Sequence, residues 1–460
     1  MGFWDAALSL DTLTFIAFGI ALLVAFGFEF INGFHDTANA VTTVIYTRSL
    51  SPTPAVIYSG FMNFLGAFLT VLGGAGVAFG IVNLLPVDLL ADAKSTAALI
   101  SVLALLLSGV IWNLSTWYIG LPVSSSHTLI GSIIGVGLMN SLIMGNGLQG
   151  INWDKVKDTA LALLCSPLIG FVAAAILLLF MKRIARNPKL YTPPVGDEHP
   201  PGWIRAVLIA TCGGVSFAHG SNDGQKGMGL LLLVLIGFLP NHYALNTYDP
   251  ETATQVISNL DELAKLKLPV TSKSPDPAAD VKYLQDKLVG KTSFTQVEQD
   301  ERWEVRKRLF RITQSLKSDK ADIPAKEKKV LLASMNNSIE FVPLWVIIGT
   351  ALALGIGTTI GYKRIVITVA EKIGKTHLTY GQGAAAETVT AATIFLADYL
   401  HAPVSTTQIL SSGIAGTMAA NRNGVQMNTA RKILLAWILT LPCTMILAGI
   451  LYWLGRTLFV

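Results

Sequence analysis

The sequence predicts an all-α polytopic membrane protein with two inverted-topology repeats, broken helices or hairpins, and about 10–12 membrane segments. Three observations predict it: an apolar composition, a series of long apolar runs, and polar motifs that recur in the two halves. Of the 460 residues, 52% are hydrophobic and 14% are charged, and the mean hydropathy is +0.54. Soluble globular proteins carry about 25% charged residues, so the composition excludes that class.

The apolar runs give the predicted membrane segments. Several are long enough to cross about 30 Å of hydrocarbon, which takes roughly 20 helical residues, and others are shorter. The runs lie at residues 13–31, 55–82, 97–119, 129–142, 160–181, 204–217, 230–239, 341–361, 384–400, 409–420 and 433–454.

The order of apolar and polar stretches divides the chain. A proline-rich stretch separates two halves, and a charged segment interrupts the second half, with a helix-like run at 281–316. The predicted segments are an N-terminal transmembrane repeat at 1–181, a cytoplasmic linker at 182–205, the start of a C-terminal transmembrane repeat at 206–240, a polar extramembrane insertion at 241–338, and the rest of that repeat at 339–460.

Charge predicts the orientation in the bilayer. Basic residues in short loops mark the cytoplasmic side, and they concentrate at 182–189, 363–375 and 422–432. The net charge of +5 is modest and lies in loops, so it indicates orientation and not nucleic-acid binding. The three cysteines lie in apolar segments, which excludes a recognisable disulfide framework or zinc-binding spacing.

Two polar stretches, Asn32–Ala40 and His219–Gly227, interrupt apolar runs. A charge at membrane depth costs about 2.5–3.5 kcal/mol on insertion scales, so an intramembrane aspartate is a functional-site hypothesis. Asp36 and Asn39 lie three residues apart, on one helix face, and offer oxygen ligands for a cation or a protonatable carboxylate. Asp223 and Lys226 have the same spacing, which predicts an ion pair or an ammonium facing the substrate.

Histidines and glutamates in the apolar runs are candidates for proton transfer. His35, His127 and His219 are candidate proton relays, because a free imidazole titrates near neutral pH, although each alone is more often a hydrogen-bonding helix residue. Glu29 and Glu387 are weaker candidates of the same kind.

Two hydroxyl-rich stretches, Pro122–Leu129 and Pro403–Leu410, each precede a short apolar run. Helix N-termini offer unpaired N–H donors and a partial positive charge, and hydroxyls add donors without a fixed charge. One copy alone is explained by ordinary N-capping; two matched copies favour an anion site. Its candidate ligands are Ser124, Ser125, Ser126, Thr128, Ser405, Thr406 and Thr407.

Glycines follow the two stretches in step, since Gly135 and Gly416 lie at equal distances from the two prolines. If the first half starts outside and the second inside, the repeats are inverted. Paired, interrupted hydrophobic segments in inverted repeats are typical of secondary transporters and indicate a substrate site near the midplane.

The four motifs together resemble those of the inorganic phosphate transporters of the PiT type, especially the bacterial low-affinity members. Gly33–Asn39 and Gly220–Lys226 are similar to the motif that this family carries in each half, and the hydroxyl-rich stretches match as well. The resemblance covers nearly the whole chain apart from the polar insertion. It implies a homodimeric, multi-pass carrier in the bacterial inner membrane that moves phosphate with a cation gradient and has no covalently bound cofactor. Arsenate is the expected analogue, by shape.

The resemblance also implies roles for individual residues. Asp36, Asn39 and Asp223 would serve cation coupling, and the hydroxyls of 124–126 and 405–407 would hold phosphate. We add Asn222 and His35 as candidates for coupling, and Gln225 and Lys226 as candidates for phosphate binding.

The sequence departs from the family pattern at two places. His35 stands where asparagine is usual, and Lys226 stands where a second asparagine would bind sodium in sodium-coupled members. Because a resident ammonium opposes a sodium ion, we predict proton symport, with phosphate carried as a neutral complex with a divalent metal such as Mg²⁺. Asp36 and Asp223 are then the expected metal contacts.

Other functions stay open at this stage. Sodium symport is the alternative coupling, and a passive anion channel would use the same helix ends. A membrane phosphatase is disfavoured, because no nucleophile–base pair and no histidine–aspartate metal cluster has convincing spacing. A receptor or scaffold would carry no flux.

Overall fold

The chain is described by a computed structural model, and its described residues are almost entirely helical. They are residues 3–70, 75–84, 96–145, 147, 153–193, 199–271, 274–371, 373–400, 402 and 404–460. The helices are α1 (Phe3–Leu8), α2 (Thr12–Tyr46), α3 (Pro52–Leu69), α4 (Gly76–Val82), α5 (Thr96–Ile119), α6 (Ser125–Ile143), α7 (Trp153–Ile184), α8 (Gly202–Phe238), α9 (Pro240–Tyr243), α10 (Pro250–Leu263), α11 (Pro277–Leu288), α12 (Arg302–Lys317), α13 (Ala325–Ile339), α14 (Leu344–Thr358), α15 (Lys363–Glu371), α16 (Tyr380–Tyr399), α17 (Thr406–Ala420) and α18 (Met427–Phe459).

The predicted all-helical membrane class is confirmed. Within the described residues, five helices are long and apolar enough to cross a membrane: α2, α5, α6, the Ala160–Ile184 part of α7, and α18. The remaining apolar helices are shorter or more polar. The inverted relation of the two halves stays a prediction.

Three predicted boundaries differ from the structure. The apolar run 55–82 contains two helices, α3 and α4. The runs 204–217 and 230–239 belong to one helix, α8, because the polar side chains between them find partners without interrupting the backbone ladder. The helix expected at 281–316 is divided into α11 and α12, and the chain after α11 passes through Gly290 with φ +74°, a conformation that favours glycine.

One of two compact units is formed chiefly by Leu235–Pro343 and contains the polar insertion predicted at 241–338. Helices α10 to α13 pack on one another there. The guanidinium of Arg306 is buried and donates to the carbonyl oxygens of Ala244 (2.9 Å) and Ile339 (2.6 Å). Burial lowers the pKa of Arg306 to about 10. The Arg306 side chain therefore joins the segment before α10 to the end of α13.

The second unit comprises residues 19–84, 96–234 and Leu344–Val460. Helix α6 packs on α18, α7 on α17, and α3 on α14. Glycines allow the backbones to approach closely, as small residues do at membrane helix crossings. A Cβ on Gly135 would lie 2.2 Å from the oxygen of Met445, and one on Gly416 would lie 2.1 Å from the oxygen of Phe171. The two glycines that the sequence places in step therefore both lie at helix crossings.

We expect Gly135→Ala and Gly416→Ala each to lower the thermal unfolding temperature of the purified protein in detergent. The added methyl group meets backbone that cannot rotate away, and overpacking of this kind costs about 1–3 kcal/mol. Gly27→Ala on α2 is the matched control, because nothing lies within 4 Å of its added Cβ. Unfolding temperatures for both variants equal to that of the control would contradict the close packing described.

Candidate functional site

The two hydroxyl-rich stretches begin helices α6 and α17 in the same way. The backbone of Ser124 is extended (φ −94°, ψ 114°), and its hydroxyl accepts from the amide of His127 at 3.2 Å. Ser405 repeats this (φ −100°, ψ 104°), accepting from the amide of Gln408 at 3.2 Å. Ordinary N-capping therefore accounts for these two serines. The hydroxyls one and two positions further on make other contacts.

The buried carboxylate of Asp36, on α2, faces the N-terminus of α17. Its Oδ1 accepts from Thr407 Oγ1 at 2.7 Å, and its Oδ2 accepts from Thr406 Oγ1 at 3.4 Å. His35 Nδ1 lies 3.3 Å from Asp36 Oδ1. Asn39, one turn along α2, donates from Nδ2 to Thr407 Oγ1 at 2.9 Å. The predicted coupling residues and the predicted phosphate hydroxyls of the second stretch are therefore in direct contact.

Lys226 joins the other aspartate to both hydroxyl-rich stretches. Its ammonium pairs with Asp223 one turn earlier on α8, as the spacing predicts. It also donates to Ser126 Oγ at 2.7 Å and to the carbonyl oxygen of Val404 at 2.8 Å. Ser126 Oγ in turn donates to the same carbonyl at 3.0 Å. The Lys226 side chain is 3% exposed, and all three donor directions of its ammonium are used.

His219 lies between the two aspartates. Its Nε2 is 3.1 Å from Asp223 Oδ2 and 3.3 Å from Asp36 Oδ2. Its Nδ1 is 2.9 Å from Asn63 Oδ1, and the Asn63 amide donates to Thr358 Oγ1 at 2.9 Å. An imidazole with acceptors at both nitrogens donates to both only as the imidazolium. The ring can therefore neutralise part of the aspartate charge.

The same three side chains can also hold a metal ion. One ligand atom each from Asp36, His219 and Asp223 lies within 4.8 Å of the others. Carboxylate oxygens suit Mg²⁺, and a mixed oxygen and imidazole set suits first-row divalent ions. Asp36 and Asp223 are the metal contacts predicted from the sequence, and His219 is an additional candidate ligand that the sequence did not assign to a metal. Metal binding at these residues stays a prediction. The proximity of His219 to Asp223 can be predicted from the sequence, since His219 precedes Asp223 by one helical turn. The approach of these two residues to Asp36 depends on tertiary packing.

Four of the predicted residues lie outside these contacts, and three of them have other partners. Gln225 donates to Thr70 Oγ1 at 2.9 Å and accepts from the amide of Val77 at 3.0 Å. The amide of Asn222 donates to Asp398. Thr128 donates back to the carbonyl of Ser124 at 3.1 Å. Ser125, like Thr128, is buried in the first turn of α6. Their roles in binding or coupling stay predictions.

Asp398 belongs to this surrounding network and was not predicted from the sequence. It lies near the end of α16 and accepts from Ser221 Oγ at 2.6 Å and from the Asn222 amide. The signal was present, because Asp398 is an acidic residue inside the predicted apolar run 384–400. Its contacts fasten α8 to the end of the helix that leads into the second hydroxyl-rich stretch.

Comparison with known proteins gives concordant matches. The family model described as the phosphate transporter family matches residues 32–448. The chain is 42% identical to the low-affinity inorganic phosphate transporter of Buchnera aphidicola (95% of this chain, 96% of the relative). It is 39% identical to the low-affinity inorganic phosphate transporter PitB of Escherichia coli, over 98% of each chain. A solved structure described as "The sodium-dependent phosphate transporter" has a TM-score of 0.57 at 19% identity, covering 97% of this chain and 100% of that chain. That likeness concerns the fold alone.

We expect Lys226→Met to destabilise the protein strongly, because it leaves Asp223 buried without its ammonium. Removing one partner of a buried pair costs about 3–5 kcal/mol; the lower end applies here, since His219 also contacts Asp223. The single variant Asp223→Asn and the double variant Asp223→Asn/Lys226→Met complete the cycle, and the double variant, which removes both charges, should recover much of the loss. Thermal unfolding of the two single variants and the double variant gives the coupling. A double variant no more stable than Lys226→Met would contradict the pairing.

Proposed function

The chain belongs to the phosphate transporter family, and we propose that it takes up inorganic phosphate by proton symport, with phosphate bound as a neutral complex with a divalent metal such as Mg²⁺. Membership confirms the resemblance predicted from the four motifs. The relatives are named as transporters and not as enzymes, so the phosphatase alternative is set aside. We further propose a homodimer in the bacterial inner membrane, with arsenate accepted as a tetrahedral analogue of phosphate.

The observation that carries the choice of protons over sodium is the position of Lys226. Its ammonium lies among the Asp223 carboxylate, Ser126 Oγ and the Val404 carbonyl. These are oxygen donors of the kind that bind sodium. A resident cation that already uses them leaves a sodium ion at this position both short of ligands and repelled by a like charge. Sodium symport is therefore the second candidate, and the observation that favours it is the likeness in fold to a sodium-dependent phosphate transporter.

The contacts of Asp36 support a metal–phosphate complex as the substrate. Thr406 and Thr407 direct their hydroxyl protons to the Asp36 carboxylate, so phosphate alone would have to compete with that carboxylate for them. A divalent ion on Asp36 supplies the carboxylate with a new partner, and the two hydroxyls then turn to the phosphate oxygens. The metal thus replaces the hydroxyls as the partner of Asp36, and the phosphate replaces Asp36 as the partner of the hydroxyls. Free anion would deprive the buried Asp36 carboxylate of its two hydroxyl donors and place a like charge beside it, which is costly.

Phosphate would lie between the two helix N-termini. The first turn of α17 offers Thr406 and Thr407, and the first turn of α6 offers Ser126, beside the Lys226 ammonium. Backbone N–H groups at both N-termini favour an anion. A divalent metal ion balances the charge of hydrogen phosphate, so the complex can cross without a net charge of its own while Lys226 stays paired with Asp223.

Glu29 is the carboxyl best suited to carry the coupling proton. It lies two turns before Asp36 on α2 and is fully buried, and among the described residues neither of its oxygens accepts a hydrogen bond. It packs against Gly227 on α8 and near Thr350 on α14, and the charged groups that face it are Asp223, His219 and Lys226. Burying an unpaired carboxylate costs far more than burying the neutral acid. Glu29 is therefore placed to gain and release a proton beside the site.

Uptake of labelled phosphate into liposomes tests the coupling. With Mg²⁺ present and choline replacing sodium, we expect accumulation driven by an inward proton gradient and its collapse on adding a protonophore. Removing Mg²⁺ with a chelator should also abolish it, because the complex is the substrate. Uptake that continues with the protonophore and requires sodium would overturn proton symport while leaving phosphate transport intact.

Glu29→Gln should separate binding from coupling. The neutral isostere fills the same space, so exchange of internal for external phosphate at equal pH should continue, whereas accumulation along a proton gradient should fall by about tenfold or more. Thr350→Val, which alters the same contacts without a carboxyl, is the control and should accumulate normally. Full gradient-driven accumulation by Glu29→Gln would remove the role assigned to this residue, independently of the liposome result for the unmodified protein.

A further inference from the structure

A cavity lies apart from the site, beyond the end of α2. It has a volume of about 450 Å³ and lies between the α2–α3 loop and the start of α15. Two cationic side chains, Arg48 and Lys363, and the imidazole of His377 line it, beside two tyrosines. It shares no residue with the transport site, and the proposed function does not use it.

Aliphatic side chains also line the cavity. Ile45, Val366 and Ile367 line the same cavity. Ile367 is 42% exposed and Ile360, just before α15, is 51% exposed. Cationic and aromatic groups beside exposed aliphatic side chains are typical of the membrane interface and not of a pocket that holds only water. The cavity therefore fits a ligand with an anionic end and an apolar body.

The backbone that carries Arg48 is held in place. Arg48 has φ +58°, in the left-handed region that residues other than glycine seldom adopt. Its carbonyl oxygen accepts from His199 Nδ1 at 2.8 Å, and the next carbonyl, of Ser49, accepts from Arg205 Nε at 2.7 Å. Two side chains from the segment around the start of α8 thus fix this loop. A fixed loop presents its arginine without a large ordering cost on binding.

The cavity belongs to the side of the protein that the charge distribution assigns to the cytoplasm. Lys363 and His377 bound the basic stretch 363–375 that we place inside. Anionic lipids at the cytoplasmic surface attract basic residues, and basic pockets between membrane helices on that side bind lipid head groups.

We propose that this cavity binds the phosphate group of an anionic phospholipid of the cytoplasmic leaflet, with Arg48, Lys363 and His377 on the head group and the aliphatic wall against the start of an acyl chain. Free phosphate released from the transport site has the same anionic chemistry. The aliphatic wall favours the lipid, because free phosphate gains nothing from it. The site is independent of the coupling ion, so it stands whether or not proton symport does.

The test uses the full-length protein, purified and delipidated in a neutral detergent. Binding is measured by thermal shift and by native mass spectrometry, with phosphatidylglycerol, phosphatidylcholine and inorganic phosphate as separate probes. We expect phosphatidylglycerol to bind and to raise the unfolding temperature, and phosphatidylcholine to have no effect. Inorganic phosphate, which also has the transport site to bind, should leave the binding of phosphatidylglycerol unchanged at matched concentration. This ranking needs only the unmodified protein, so it holds even if a variant folds poorly.

Arg48→Gln/Lys363→Gln should weaken phosphatidylglycerol binding by about tenfold or more, since each basic residue near an anionic surface contributes appreciably. Lys375→Gln/Lys432→Gln is the matched control, because it removes two exposed charges of the same predicted side outside the cavity. Equal losses in both double variants would reduce the effect to general surface charge and overturn the site. Displacement of phosphatidylglycerol by inorganic phosphate at matched concentration, or no binding of phosphatidylglycerol, would overturn the assignment to a phospholipid.

Discussion

The buried pair of Asp223 and Lys226 is the interaction on which the rest of the site depends. A charge at this depth must be paired, and the ammonium of Lys226 meets that need by contacting Asp223, Ser126 and the Val404 carbonyl together. Lys226 thereby connects α8 to the starts of α6 and α17. If the charge of Asp223 or Lys226 is removed, the groups in contact with the pair lose a partner as well. The pair therefore fixes the positions of the N-termini of α6 and α17 in addition to its own helix.

Around this pair, the donors and acceptors of the two halves satisfy one another. The hydroxyls of Thr406 and Thr407 bind Asp36, while His219 bridges Asp36 and Asp223. An anion alone or a cation alone would replace only one side of these contacts and leave buried groups without partners. A complex that carries both charges replaces both sides, which is the physical reason to connect the metal with the phosphate. The proposed metal–phosphate complex thus follows from the contacts that the site residues make with one another.

The parts of the site that follow from short spacings could be predicted from the sequence. The Asp223–Lys226 pair needs only one helical turn, and the capping serines need only their position before an apolar run. The contacts of Asp36 with Thr407 and of His219 with Asp36 join residues 371 and 183 positions apart, and no spacing specifies them. The same limit explains α8: its polar stretch looked like a break because the partners that satisfy it lie elsewhere in the chain. Asp398 could have been noticed, but its partners could not.

The proposed proton symport depends on Lys226 taking the place that a coupling sodium ion would need. The most direct test is calorimetric titration of sodium chloride into the purified protein, against choline chloride at the same ionic strength, with and without phosphate and Mg²⁺. We predict no saturable sodium binding in either condition, and no effect of sodium on phosphate affinity. Saturable sodium binding that tightens the binding of phosphate to the unmodified protein would contradict the claim.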